Sequence, residues 1–338
     1  MAESLPLLII VMLLAGTFDF INGFHDTANA IATVVATRVL SPRQAIMMSA
    51  SLNFLGAFSG TAVAATVGKG IIDPAASTQE VVIAALCGAI IWNLVTWYSG
   101  IPSSSSHALI GGLIGGALAF KGSGALNRSG IETVVFSLLS SPVIGMIFGF
   151  ILMIALLWLV ARHSRHSVNN HFGRLQLLSS AFMSFSHGSN DAQKTMGVIT
   201  MSLYSYGLIG SFQVPIWVMV FSAVAMAAGT SAGGWRIIKT MGHKIIKLEP
   251  IHGFAAETAA ASVIQVASHF GLPVSTTHVI AGSIMGVGAS KRLSAVRWGV
   301  AGNMLVAWVL TIPASGAMAW LLYEGFTALH SATALSGL

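Results

Sequence analysis

Long apolar runs separated by short polar joints fill the chain from end to end, and within each run the apolar residues are continuous rather than alternating. Continuous runs of about 20 residues suit α-helices that cross a bilayer, whereas a membrane barrel would show a period of two. The pattern therefore predicts an all-α polytopic membrane protein. In the first half it divides into an interrupted helical segment over 5–38, a full span over 43–67, two apolar arms over 81–120 joined at a Gly-Ile-Pro turn, and a long helix over 133–160. The opening stretch, Met1–Gly16, has the apolar run of a signal peptide. It carries Glu3 and no Lys or Arg, with no small-residue cleavage motif behind it, so it reads as a retained helix.

Composition sharpens this picture in three ways. Of 338 residues, 55% are hydrophobic and only 8% charged, which excludes an ordinary soluble domain. The formal net charge of +6 does not point to nucleic acid, because the Lys and Arg residues sit mostly in the joints, where the positive-inside rule accounts for them. The single Cys87 lies in an apolar run, excludes an internal disulfide and reads as a packing residue.

The polar residues that remain inside the apolar runs repeat. FINGFHDTANA, starting at Phe20, matches FSHGSNDAQKT, starting at Phe185, so that Gly23 aligns with Gly188 and Asp26 with Asp191. GIPSSSSH, starting at Gly100, matches GLPVSTTH, starting at Gly271, in the same order. Two ordered matches mark a duplication, with halves 1–165 and 166–338. If each interrupted segment crosses once and each pair of arms returns to its own side, twelve of the sixteen Lys and Arg residues share one face, and equivalent joints of the two halves lie on opposite faces. The repeat is thus expected to be inverted in topology, with both termini outside. The arms are long enough either to span or to re-enter.

Within each half the chemistry gathers at two places. Asp26 and Asp191 follow a glycine expected to let the backbone leave the helix, and a carboxylate at that depth needs a partner or a cation. Asn29 and Lys194 lie three residues further on, on the same helical face. Amide plus carboxylate suits a small hard cation; Lys194 suits either an anion or neutralisation of Asp191. The runs Ser103–Ser106 and Ser275–Thr277 each follow a proline and open an apolar arm, as helix N-termini do, and buried ends of this kind suit a small oxyanion. His25, His107, His187 and His278 lack metal-type spacing with Cys or another His, so no zinc site is expected. His107 and His278 are expected to orient the tips through hydrogen bonds, and His25 to be the titrating group. Asp19 and Glu257 have no counterpart in the other half and suit either ion coupling or a structural role; Glu324 reads as interfacial.

These residues add up to a carrier that moves an oxyanion together with a cation. At this point GFHDTANA, GSNDAQKT, GIPSSSSH and GLPVSTTH resemble, in order and spacing, the motifs of the inorganic phosphate transporters of the PiT type. The resemblance implies an inverted-repeat fold in the inner (cell) membrane, a homodimer, and import of inorganic phosphate by symport with a co-transported cation and no other cofactor. It assigns phosphate contacts to Ser104, Ser105, Ser106, Ser275, Thr276 and Thr277. Asp26, Asn29, Asn190 and Asp191 are assigned to cation and phosphate binding. Lys194 is added on the phosphate side, and His25 and Glu257 on the cation side, from the residues themselves. His25 stands where the family motif has Asn, and imidazole is a poor sodium ligand, so protons or a divalent metal–phosphate complex are expected in place of sodium.

Three alternatives complete the reading, one of them a channel, which saturable uptake with counterflow exchange would separate from a carrier. Sulfate is the rival substrate: near neutral pH phosphate still carries a proton that an ionised Asp26 or Asp191 can accept, and sulfate does not. An intramembrane serine hydrolase using Ser103–Ser106 with His107 is the rival class. It lacks a third group and an oxyanion hole, and residues so close on one helix point to different faces.

Overall fold

A computed structural model describes residues 4–73 and 76–336, in which helices account for all regular structure apart from one isolated bridge between Ile72 and Leu126. Glu3 lies outside the described residues. The first half holds α1 (Leu5–Ala36), α2 (Pro42–Gly56), α3 (Ala62–Gly70), α4 (Gln79–Ser99), α5 (Ser105–Lys121) and α6 (Arg128–Val160). The second holds α7 (Arg165–Ser205), α8 (Ile216–Ala232), α9 (Trp235–Lys239), α10 (Pro250–His269), α11 (Thr276–Lys291) and α12 (Trp298–Ser336). Short polar side chains start these helices: Ser4 caps α1, Ser41 and Gln44 form a capping box on α2, and Asn127 and Ser164 cap α6 and α7. Leu5–Ala36, Gln79–Ser99, Ser105–Ala125, Arg128–Val160 and Trp298–Ser331 are long and apolar enough to cross a bilayer, and the pair Ile216–Ala232 and Trp235–Lys244, bent by 62°, makes a sixth candidate. Phe136 and Ile151 on α6 and Val309 and Leu321 on α12 stand exposed, as side chains facing lipid do. The chain is a multi-pass membrane protein.

α1 and α7 cross at the centre and run antiparallel: Asp19 meets Thr195, whereas Ser180 reaches back to the carbonyl of Ala30. Around them the packing of one half is mirrored by the other. α1 packs on α8 as α7 packs on α2, and α5 packs on α12 as α11 packs on α6. Each half therefore completes the other.

The helices are interrupted, but not where the glycines suggested. α1 and α7 run unbroken through Asp26 and Asp191. A Cβ on Gly23 would lie 2.3 Å from the Met226 carbonyl oxygen, and one on Gly188 would lie 2.2 Å from that of Asn53. Both glycines let another helix approach closely, and neither bends its own. The break falls one element later. The expected span over 43–67 is two helices, α2 and α3, parted at Ala57–Thr61. α7 supplies the partners there: Ser59 donates to Ser189 (2.6 Å), and the Val63 amide at the start of α3 donates to Gln193 Oε1 (3.0 Å). α8 breaks correspondingly before α9, at Gly233 with φ 73°.

Each pair of arms returns to the face from which it starts. α4 begins beside the N-terminus, where the Ser4 amide donates to Gln79 Oε1, and the segment after α5 returns to that face through the Asp73–Ala125 and Asn127–Ile71 backbone bonds. α10 begins and α11 ends beside each other on the other face, where Glu249, His252 and Lys291 line one cavity with His163 and Arg165. Three of the four cation-rich joints thus share a face, and the fourth joins them through the bond from Thr37 to Gln176. α12 ends towards the face of the N-terminus, with Tyr323 against Phe120.

Candidate functional site

The tips of the two helical hairpins, α4–α5 and α10–α11, meet in the interior. Each arm ends in a left-handed glycine, Gly100 (φ 65°) or Gly271 (φ 69°), followed by a proline that cannot continue the helix. Ser104 Oγ then accepts from the His107 amide and Ser275 Oγ from the His278 amide, each at 3.2 Å, opening α5 and α11. This leaves the amides of Ser105, Ser106, Thr276 and Thr277 without a carbonyl in their own helices, at the positive ends of two helix dipoles. The imidazoles of His107 and His278 touch, with centroids 4.4 Å apart, and His278 stacks on Trp308 at 4.0 Å. Ring contact brings the tips together at these two residues; His107 Nδ1 and His278 Nε2 have no hydrogen-bond partner among the described residues.

α1 and α7 bring the carboxylates to these tips. Ser105 Oγ donates to Asp26 Oδ2 at 2.8 Å, and Thr276 Oγ1 donates to Asp191 Oδ2 at 3.0 Å. The next turn reaches across to the tip of the other half: Asn29 Nδ2 donates to Thr277 Oγ1 (2.9 Å) and Thr276 Oγ1 (3.3 Å). Lys194, its counterpart, donates to Ser106 Oγ (2.5 Å), the Val274 carbonyl (2.8 Å) and Asp191 Oδ1 (2.5 Å). Lys194 thus contacts both Asp191 and the hydroxyl-bearing tip of the first half. All of these side chains are buried.

A second layer holds the first. His25 Nδ1 lies 2.6 Å from Asp26 Oδ1, and its Nε2 lies 3.1 Å from Thr96 Oγ1 and 3.3 Å from Ser103 Oγ. In the other half His187 Nε2 lies 3.2 Å from Asp191 Oδ2, with its Nδ1 3.1 Å from Asn53 Oδ1. Ligand atoms of Asp26, His187 and Asp191 all lie within 4.8 Å of one another, a group able to hold a metal ion. Sequence reasoning missed this grouping. The signal for it was the i, i+4 spacing of His187 and Asp191, which places both on one helical face.

Not every expected residue reaches the tips. Asn190, which aligns with His25, donates to Ser268 on α10 at 2.8 Å, as His25 contacts Thr96 on α4. Ser104 and Ser275 serve as caps. Glu257 is fully buried and accepts from Thr33 (2.5 Å), Gln176 (3.1 Å) and Ser179. Asp19 accepts from Thr195 at 2.6 Å. Asp19 and Thr33 stand seven residues either side of Asp26 on α1, about 10 Å away along the helix axis. The seam between α1 and α7 thus carries three polar layers, with the tips at the middle one. Glu324 is exposed near the end of α12, in keeping with an interfacial place.

Residues 22–319 match the family model described as the phosphate transporter family. The chain belongs to the phosphate transporter family. Relatives include two proteins named probable low-affinity inorganic phosphate transporter. That of Rhizobium meliloti (strain 1021) is 50% identical over 95% of this chain and 96% of its own length. That of Bacillus subtilis (strain 168) is 48% identical over 94% and 97%. A solved structure named the sodium-dependent phosphate transporter superposes with a TM-score of 0.88 at 26% identity, covering 96% of this chain and 100% of that one. The family is one of transporters and not of enzymes, which sets the hydrolase alternative aside. The geometry agrees: Ser105 donates to a carboxylate, and the His107 ring packs on His278.

Proposed function

We propose that this chain imports inorganic phosphate by alternating access, taking the anion at the meeting point of the α5 and α11 tips together with a cation. The observation that carries the reading is the convergence of two hydroxyl-bearing helix starts, one from each half, on two carboxylates and a lysine. The free amides and the hydroxyls of Ser105, Ser106, Thr276 and Thr277 supply donors to the oxyanion. Asp26 and Asp191 accept the proton that phosphate retains near neutral pH. Sulfate has no such proton to give and would set its charge against theirs.

Charge makes the uptake coupled. Asp26 and Asp191, with atoms within 4.8 Å, repel each other by about 3–4 kcal/mol at an effective dielectric near 20, and Lys194 offsets only one of the two charges. A phosphate entering this cluster must bring positive charge with it. Two features favour a proton or a divalent metal over sodium. The Lys194 ammonium already sits among a carboxylate, a hydroxyl and a carbonyl oxygen, the oxygen set a sodium ion would use beside Asp191. Beside Asp26 stands the imidazole of His25 instead of an amide, and imidazole is a poor sodium ligand. A divalent metal carried with phosphate has Asp26, Asp191 and His187 within reach.

The antiparallel crossing of equivalent helices α1 and α7 supports an inverted repeat with halves 1–165 and 166–338. The shared face of the cation-rich joints supports their lying in the cytoplasm, with both termini outside. Radiolabelled phosphate uptake into proteoliposomes, with sodium, proton and magnesium gradients imposed separately, tests the function. Uptake driven by protons or by the metal, and insensitive to sodium at fixed pH, is expected. Uptake that needs sodium, or that sulfate competes for equally, would reject the reading.

A further inference from the structure

Where α6 ends, α7 and α10 begin and α11 ends, a cavity of about 410 Å³ opens on the cation-rich face. Met153, Leu157, Val160 and Val168 give it an apolar wall, with Met153 and Leu157 one to two turns in from the end of α6; Arg165, Lys291, His163 and His252, at or beside the helix ends, form its polar rim. Trp158 and Leu159, 81% and 71% exposed on the last turn of α6, place this rim at the level where the bilayer meets water. The phosphate-transport site lies elsewhere, at the hairpin tips, and uses none of these residues.

The charges of the cavity do not balance. Arg165 is ion-paired to Glu249, the one acidic residue lining it, and Lys291 is left over. Burial works against ionisation of Glu249, yet the Arg165 bond and the charges of His252, Arg165 and Lys291 hold its carboxyl below the ordinary value. Glu249 therefore remains an anion bound to Arg165, and the rim keeps a net positive charge. Asn169, which also lines the cavity, has a buried side-chain oxygen without a hydrogen-bond partner among the described residues.

We propose that this cavity binds an anionic phospholipid with a hydroxylated headgroup, of the phosphatidylglycerol type. The phosphodiester meets Lys291 and Arg165, an acyl chain lies along Met153, Leu157 and Val160, and a headgroup hydroxyl donates to Asn169. One negative charge on the lipid balances the one uncompensated cation of the rim. An apolar wall beneath a cationic rim fits a lipid and not free phosphate, which has nothing to place against methionine and leucine.

The purified protein, titrated in detergent and followed by native mass spectrometry, should retain phosphatidylglycerol at least tenfold more tightly than phosphatidylcholine. Inorganic phosphate at the same concentration should not displace it. Lys291→Gln should remove most of that preference, and the paired change Arg165→Gln with Glu249→Gln should remove less, since it deletes one charge of each sign. A diazirine-bearing phosphatidylglycerol should label peptides containing Met153, Leu157 or Val168 in the unmodified protein, which keeps the test independent of variant folding. Equal retention of both lipids, displacement by inorganic phosphate, or labelling confined to other peptides would overturn the proposal.

Discussion

Replacing Lys194 tests how the buried carboxylates are neutralised. In Lys194→Gln the ammonium that donates to Asp191 Oδ1, Ser106 Oγ and the Val274 carbonyl is gone. The side chains of Lys194 and Asp191 are 3% and 1% exposed, so water does not replace it. Removing one partner of a buried pair costs about 3–5 kcal/mol, because the other charge stays behind without compensation. A small cation that fits the vacated oxygen cage can return part of this: at one hundred times its dissociation constant, binding stabilises by about 2.7 kcal/mol. The variant should therefore melt well below the unmodified protein in choline chloride and recover more than half of the loss in sodium chloride at equal ionic strength and pH. The unmodified protein should melt at the same temperature in both salts. The assay is a thermal melt of detergent-solubilised protein, with phosphate uptake measured alongside. A variant indifferent to sodium, or an unmodified protein stabilised by sodium to the same degree, would refute the view that Lys194 stands in for a cation.

Further expectations follow from the same geometry. Asp26→Asn and Asp191→Asn should each nearly abolish phosphate uptake while surface labelling shows normal insertion; near-normal rates in either would remove the carboxylates from the site. His25→Asn places an amide oxygen beside Asp26 and should shift coupling towards sodium, read as a sodium-stimulated component of uptake at fixed pH. Gly188→Ala drives a methyl group to 2.2 Å from the Asn53 carbonyl oxygen and should destabilise by about 1–3 kcal/mol or more, seen as a lower melting temperature. An unchanged melt would mean that α2 and α7 are not packed as described. On a Cys87→Ser background, Lys244→Cys should react with a membrane-impermeant thiol reagent only after the cytoplasmic face is opened.

Much of the site could be read from the sequence because its parts are repeated. Asp26 with Asp191, and the two hydroxyl runs behind their prolines, stand out as rare polar residues in apolar runs, and the structure joins Ser105 to Asp26 and Thr276 to Asp191. What was misread depends on partners far away in the chain. Gly23 and Gly188 looked like helix breakers, since a sequence does not say whether a glycine bends its own helix or admits a neighbour; the carbonyls of Met226 and Asn53 decide it. The break between α2 and α3 is tolerated because Gln193, 130 residues away, accepts from the Val63 amide. The place of Lys194 was open for the same reason, as two of its three oxygens come from Ser106 and Val274 on the two tips.

The stoichiometry of bound phosphate is the most direct test of the claim that both halves build a single site. Equilibrium dialysis of radiolabelled phosphate against purified protein should give one phosphate per chain. Ser105→Ala, on the first tip, and Thr276→Ala, on the second, should each weaken that same phosphate by tenfold or more. Two phosphates per chain, or binding that survives loss of either hydroxyl unchanged, would contradict it.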